Sequence, residues 1–339
     1  MDHPSVPSVT VVIPSYNHAA YIGAALESVV AQTLPAREIA VVDDGSRDGS
    51  PEIIRAFASA NPGVNLNFTE QPNAGAHVAL NRAIAGASGA DFIAILNSDD
   101  LYEPERLERC VAWLGSHPEK AAVCTAYRLI GTDGEPLPAD HAKVCRMQRI
   151  WADPSRDVAE WLGESNFTKT TSNYVIRADY ARAHPFRAYR YAHDYFFASA
   201  AALEGAFGVL PEPLLRYRTH ACNTIKADGR APVAAELVRL EFDLLCELAP
   251  RLAASGDVRA AAVRYFRQLF ESASDFRADV FLAFAAGLAA DNAASLRQRL
   301  DALNPTDFPE LAAPPRRPGP PPKTRNGLMR LLGLSGAFL

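Results

Sequence analysis

Glu38-Ile39-Ala40-Val41-Val42-Asp43-Asp44-Gly45-Ser46 decides the fold. A short apolar run rich in β-branched residues reads as a buried strand. Its abrupt change to two acids, a glycine and a serine reads as a turn at the carboxyl end. The same grammar recurs on either side. Ser8-Val9-Thr10-Val11-Val12-Ile13 is a strand closed by Pro14, and Asp91-Phe92-Ile93-Ala94-Ile95-Leu96 is a strand closed by Asn97-Ser98-Asp99-Asp100. Residues 64–68 read as a further short strand. Between the strands, residues 21–32, the stretch opened by Pro51, and residues 76–87 and 103–114 carry helical spacing of apolar residues. Strands apolar along their whole length, alternating with helices, predict an α/β fold with a mostly parallel sheet covered on both faces.

The polar clusters all stand at the carboxyl ends of these strands. They are Pro14-Ser15-Tyr16-Asn17, Asp43-Asp44-Gly45-Ser46 and Asn97-Ser98-Asp99-Asp100. In open α/β sheets ligands bind in the crevice at those ends, so three clusters on separate strands point to one site. Adjacent carboxylates at Asp99-Asp100 repel unless a cation or hydrogen bonds offset the cost, and hard divalent ions take such oxygen ligands together with substrate phosphates. A solvated acidic turn before a helix is the plain alternative for an isolated pair. Asp44 can accept a hydrogen bond from a nucleobase imide or simply make a turn. Tyr16 can stack on a base or pack at the strand end.

Composition sets outer limits. The chain has 339 residues and a formal net charge of -5, without the basic excess of a nucleic-acid binder. Five cysteines, Cys110, Cys124, Cys145, Cys222 and Cys246, form no paired motif, so buried reduced thiols are expected. Met1-Asp2-His3-Pro4 lacks the build of a signal peptide, and the apolar run at 280–290 is too short to span a bilayer. Cytoplasmic location is the resulting expectation. The domain reading is a catalytic unit over 1–230, a helical appendage over 231–303 and a proline-rich linker with an amphipathic tail over 304–339. That tail places bases before leucines and a phenylalanine, and it offers a peripheral contact with the inner face of the cytoplasmic membrane.

The ordered motifs carry a family resemblance. Val11-Val12-Ile13-Pro14-Ser15-Tyr16-Asn17, Ser28-Val29-Val30-Ala31-Gln32-Thr33 and Val41-Val42-Asp43-Asp44-Gly45-Ser46-Arg47-Asp48-Gly49-Ser50 resemble the opening of family 2 glycosyltransferases with the GT-A fold. Asn73-Ala74-Gly75 with Asn81, and Leu96 through Pro104, continue the likeness, which extends over residues 8–225. The resemblance implies a Rossmann-like catalytic domain and an inverting transfer from a nucleotide diphosphate sugar to a glycan or lipid-linked acceptor. Uridine diphosphate is the default carrier, Mn²⁺ or Mg²⁺ the assisting ion, and surface polysaccharide synthesis the setting.

Position by position, the resemblance assigns Pro14, Tyr16, Asp43, Asp44 and Asn73 to the donor, with Asp44 on the base. It assigns Asp99 to ribose and metal, and Asp100 to metal. Asn97 stands where the commonest motif has Asp, and it is assigned to a sugar or ribose hydrogen bond. Asp194, within His193-Asp194-Tyr195-Phe196-Phe197, falls where the family has its catalytic base, although His193 replaces a frequent acid. Leu215-Arg216-Tyr217-Arg218-Thr219-His220 resembles a downstream segment that gives Arg218 to the diphosphate and His220 to the metal or the diphosphate. Trp151, Trp161, Asn166, Thr170, Thr171, Ser172 and Asn173 are unranked candidates for an acceptor site.

Two other enzyme classes use a similar sheet. A dinucleotide oxidoreductase needs GxGxxG after the first strand, and a sugar-nucleotide-forming enzyme needs a Gly- and Arg-rich loop there. Neither is present. Asn97 and His193 leave open one reading from a different class, a catalytically inert scaffold on the same fold.

Overall fold

The computed structural model describes residues 7–138, 141, 156–220 and 230–272. Eight strands form one sheet in the order β3-β2-β1-β4-β7-β6-β8-β5. They are β1 (Val9–Ser15), β2 (Glu38–Asp43), β3 (Leu66–Glu70), β4 (Phe92–Ile95), β5 (Leu101–Tyr102), β6 (Ala122–Ile130), β7 (Val175–Arg177) and β8 (Phe207–Arg218). The pairs β1–β2, β1–β4, β2–β3 and β6–β8 are parallel, whereas β7 runs antiparallel to both β4 and β6, and β5 antiparallel to β8. The expected α/β architecture is therefore present, with a mixed sheet. β3 lies slightly beyond the expected 64–68 because Val64 is held in the turn that closes the preceding helix, its amide on the Asn61 carbonyl at 2.9 Å.

The helices are α1 (Ile22–Val30), α2 (Ser50–Ala60), α3 (Ala76–Gly86), α4 (Arg106–Ser116), α5 (Val158–Glu164), α6 (Ala178–Ala183), α7 (His193–Leu203), α8 (Arg230–Ala254) and α9 (Gly256–Ser272), with a 3₁₀ turn at Thr171–Asn173. Successive side chains of a strand point to opposite faces, and the core divides accordingly. Val9, Val11 and Ile13 join Ile22, Leu26 and Val29 of α1 and Leu107, Cys110 and Leu114 of α4. Val12, Ile93 and Ile95 face the other way, toward Leu80 and Ile84 of α3 and the aromatics of α7. That second core also takes in Leu240, Leu244 and Leu248 of α8 and Ala261, Tyr265 and Leu269 of α9. Each such leucine contributes roughly 1.5–3 kcal/mol by burial, so residues 230–272 share the core of the sheet domain.

The α5–α9 contact is backbone to backbone. A Cβ added at Gly163 would lie 2.2 Å from the Tyr265 carbonyl oxygen. Cys110 and Cys124 are buried free thiols, and burial pushes Cys110 up to about 11; Cys246 is free and exposed, unlike the expectation of buried thiols. No helix among the described residues is long and apolar enough to cross a membrane. Cys145, Cys222, Trp151 and the expected elements over 273–339 lie outside the described residues.

The topology places the site. β7 reverses direction relative to β4, and β6 reverses it again, so β6 and β8 run the same way as β1, β2 and β4. The carboxyl ends of β1, β2, β4 and β8 thus open on one edge of the sheet. β7, being antiparallel, begins on that edge, which brings the turn at 171–173 there too.

Candidate active site

The loop after β2 is built on its own acids. Asp43 is buried and accepts from the Ser46 amide at 2.8 Å, the Ser46 hydroxyl at 2.6 Å and the Ser15 hydroxyl at 3.1 Å. It therefore knits the ends of β1 and β2 together. Asp44 turns the other way. Its Oδ1 accepts from Gln71 Nε2 and the Ala74 amide, and its Oδ2 from the Gly75 amide, each at 2.8 Å. Gly45 makes the approach of the two loops possible, with φ at +79° and a would-be Cβ 3.0 Å from the Asn73 amide nitrogen. Asn73 is exposed in this loop, Pro14 is half-buried at the end of β1, and the Tyr16 ring is 47% exposed.

Asp99 and Asp100 part company. Asp99 Oδ2 lies 3.0 Å from His220 Nε2 and 4.0 Å from His18 Nε2. One nitrogen of each imidazole and one Asp99 oxygen all lie within 4.8 Å of one another, a group that could hold a metal ion. Asp100 is not in that group. It is fully buried, with Oδ1 accepting from the Arg218 amide at 2.8 Å and Oδ2 from the Ser172 hydroxyl at 2.6 Å. Of the expected metal trio, Asp99 and His220 stand in that group and Asp100 does not, because consecutive residues of the turn project in different directions.

Electrostatics follow this division. Burial alone would raise the Asp99 carboxyl, but the His220 hydrogen bond and the nearby imidazoles outweigh it and hold it below the usual carboxylate range. Burial and the charge of Asp99 together push Asp100 well above that range, against its hydrogen bonds from Ser172 and Arg218. Burial lowers His18, and the charge of Asp99 only partly opposes this.

Asn97 is engaged on both sides of its amide. Its Nδ2 donates to Thr170 Oγ1 and its Oδ1 accepts from Thr171 Oγ1, each at 2.8 Å. The neutral amide can donate to one threonine and accept from the other, which a carboxylate cannot do. Arg218, expected on the diphosphate, is buried and donates to the carbonyl oxygens of Asp99 at 2.8 Å, Gly131 at 3.0 Å and Thr132 at 3.1 Å. Its guanidinium, 4.8 Å from the Tyr21 ring centroid, braces the 99–100 turn.

Asp194 sits in the first turn of α7, 5% exposed, with Asn166 Nδ2 donating to Oδ2 at 2.9 Å. The hydroxyl of Tyr174 donates to its backbone carbonyl at 3.0 Å. Of the acceptor-site candidates, Asn166 thus touches the expected base. Thr170, Thr171 and Ser172 hold Asn97 and Asp100, Asn173 is consumed by the backbone of Thr125, and Trp161 packs on Phe167 in the core.

The approach to α7 is held from α8. Both oxygens of Glu236 accept backbone amides, from Arg190 at 2.7 Å, Tyr191 at 2.6 Å and Ala192 at 2.8 Å. Asp243 accepts the Tyr189 hydroxyl, and Glu247 pairs with Arg187. Neither Glu236 nor His18 was flagged by the sequence. His18 had a signal available, as a metal-ligating residue type directly after Tyr16-Asn17 in the loop that follows β1, the strand beside β4.

A mixed, mostly parallel sheet flanked by helices, with polar loops at the carboxyl ends of its parallel strands, is the architecture of the GT-A class of fold. The solved structure of TarS residues 1–349 from S. aureus shares it at a TM-score of 0.57 and 19% identity, covering 78% of this chain and 70% of that one. So does the mannosyltransferase PcManGT of Pyrobaculum calidifontis, solved with GDP-Man and Mn²⁺, at a TM-score of 0.53 and 21% identity over 88% and 84% of the two chains. The glycosyl transferase family 2 model matches residues 10–184, and the chain belongs to that family. A protein named for teichuronic acid biosynthesis, TuaG of Bacillus subtilis (strain 168), is 35% identical over 131 residues, 39% of this chain. The match spans about half of that relative, 51% of its length. Hyaluronan synthase of Pasteurella multocida is 36% identical over 38% of this chain and 13% of its own.

Proposed function

We propose that this chain transfers a sugar from a nucleoside diphosphate sugar, by default a uridine diphosphate sugar, to a hydroxyl of a glycan or lipid-linked acceptor, with inversion and divalent-metal assistance, in surface polysaccharide synthesis. One observation carries the reading: the loops bearing Tyr16 and Asp44 and the Asp99–His220 pair meet at a single edge of the sheet. The names of the relatives support the setting, since they include a hyaluronan synthase and a protein of teichuronic acid biosynthesis.

The residues divide the work as follows. The half-exposed Tyr16 ring offers a face on which a base can stack. A carboxylate has about four acceptor positions. Asp44 uses three on protein donors, so one position on Oδ2 is left for a uracil imide N–H. An imidazole nitrogen beside a carboxylate oxygen suits a divalent ion, which Asp99 and His220 would hold. Such an ion supplies positive charge to the departing diphosphate. Asp194 takes the proton from the acceptor hydroxyl as that oxygen bonds to the anomeric carbon, and Asn166 fixes the carboxylate for this role.

A thermal-shift screen of nucleoside diphosphates and their sugars, with and without Mn²⁺, tests the donor site, since a ligand of the native state raises apparent stability. A shift with a uridine nucleotide that grows with Mn²⁺ is expected. Identical melting with every nucleotide, or a transfer product that keeps the donor's anomeric configuration, would overturn the proposal.

A further inference from the structure

The geometry points to His18 as a third protein ligand of the metal, giving this site two nitrogen donors and one carboxylate and so a preference for Mn²⁺, and more strongly Co²⁺, over Mg²⁺. The inference rests on the metal-assisted reading above and goes beyond it in assigning a residue and an ion preference.

His18 is held as a ligand needs to be held. Its Nδ1 lies 2.8 Å from the Ser98 hydroxyl, which fixes the ring and leaves Nε2 on the side of Asp99 and His220. An imidazole that binds metal through one nitrogen commonly has the other anchored by a hydrogen bond. The backbone is fixed as well. The His18 amide donates to Ser50 Oγ at 3.0 Å, the Ala19 amide to Asp48 Oδ2 at 2.9 Å, and Asn17 adopts φ +52°. The two imidazoles stand nearly perpendicular, at 89° with centroids 5.7 Å apart, and their ring nitrogens converge on Asp99 without stacking. His18 Nε2 is 4.0 Å from Asp99 Oδ2, outside hydrogen-bond range, so the pair gains little from direct contact. An ion between them would engage the nitrogen that the Ser98 bond leaves facing Asp99.

The donor chemistry sets the preference. Mg²⁺ favours an all-oxygen environment and retains water, whereas imidazole raises affinity for transition ions along the series from Mn²⁺ to Co²⁺. A site with two imidazoles and, among the described residues, Asp99 as its one carboxylate discriminates against Mg²⁺.

The experiment titrates the full chain with Mn²⁺, Co²⁺ and Mg²⁺ by calorimetry in the absence of nucleotide. Loss of an orienting partner of a metal-bound imidazole costs about 10–100-fold in affinity, and loss of the imidazole itself should cost at least that. His18→Asn keeps an amide that can reach Ser98 and removes Nε2. It should weaken Co²⁺ by about tenfold or more and narrow the Co²⁺/Mg²⁺ affinity ratio correspondingly, while the melting temperature in EDTA stays unchanged. His18→Gln, measured in parallel, should show the same narrowing even if the asparagine variant folds poorly. Asp99→Asn separates the two levels of the argument. If Asp99→Asn abolishes Co²⁺ binding and both His18 variants leave it within twofold, the ligand assignment is wrong and the metal-assisted reading stands. If Asp99→Asn has no effect either, both fall. If the His18 variants instead lose uridine diphosphate affinity in EDTA with metal affinity intact, the residue is a phosphate contact and the inference is overturned.

Discussion

The edge formed by β1, β2 and β4 and the region running from Asn166 to α8 solve the same problem differently. At the first, the two acids after β2 are fixed in part by backbone amides of their own loop and the next. Asp43 is held by Ser46, three residues on, and Asp44 by the amides of Ala74 and Gly75 on the adjoining strand's loop. In the second, Asp194 is held by Asn166, 28 residues earlier, and the entry to its helix by Glu236, 44 residues beyond Ala192. Backbone-built loops follow from the sheet and resist change. Side-chain braces can be exchanged one at a time.

The largest break in this comparison comes at Asp194. Replacement by asparagine removes the proposed proton acceptor but keeps the volume, and general base catalysis contributes about 10²–10⁴-fold. Asp194→Asn should lower kcat by that order with nucleotide affinity unchanged. Turnover within tenfold of the parent would place the base elsewhere.

The same contrast explains what could be read from the chain. Strand and turn alternate at the parallel strands, so Tyr16, Asp44 and Asp99 announce themselves as contiguous clusters at predictable ends. Asp99-Asp100 shows the limit of that reading. Adjacency in sequence suggested shared duty, yet Asp100 points into the core toward Ser172 and the Arg218 amide. Arg218 shows a related limit, because a basic residue near acids suggests ligand binding, and its bonds to the carbonyls of Gly131 and Thr132 cannot be read from the chain. Glu236 lay beyond reach altogether. It is one of several acids on a long helix, and only packing shows that it meets three amides.

Glu236→Ala should therefore have the next largest effect. Leaving amides without their carboxylate costs about 1–3 kcal/mol for a buried donor, reduced here because Arg190 is exposed to water. A lower melting temperature and a fall in kcat are expected, with the uridine diphosphate dissociation constant unchanged. Glu236→Gln should recover part of the loss. If nucleotide binding fell together with kcat, the two regions would not be separable in the way described.

Gly45→Ala probes the opposite side. An alanine in the left-handed region costs about 1–2 kcal/mol, and its Cβ would press on the Asn73 amide at 3.0 Å. Both loops around Asp44 must then shift. Nucleotide affinity should weaken, while kcat at saturating donor stays near the parent value, the mirror image of Glu236→Ala. Equal losses in both parameters would argue that the nucleotide loops and the region around Asp194 move as one unit.

The smallest effect is expected at Asp48, where a side chain takes part in the loop-built edge. Burial would raise its carboxyl slightly, but the amides of Ala19 and Ser50 and the Ser50 hydroxyl outweigh this and hold it below the usual carboxylate range. A depressed carboxyl contributes stability that is complete above the unfolded-state value of about 3.9 and is lost as pH falls through the lower folded-state value. The melting temperature of the parent should exceed that of Asp48→Asn at pH 7, and the gap should close as the pH drops below about 4. Exposure of Asp48 keeps the difference small. A gap that persists unchanged into acid would mean that the 17–19 loop, and with it the aim of His18, is set by backbone geometry alone.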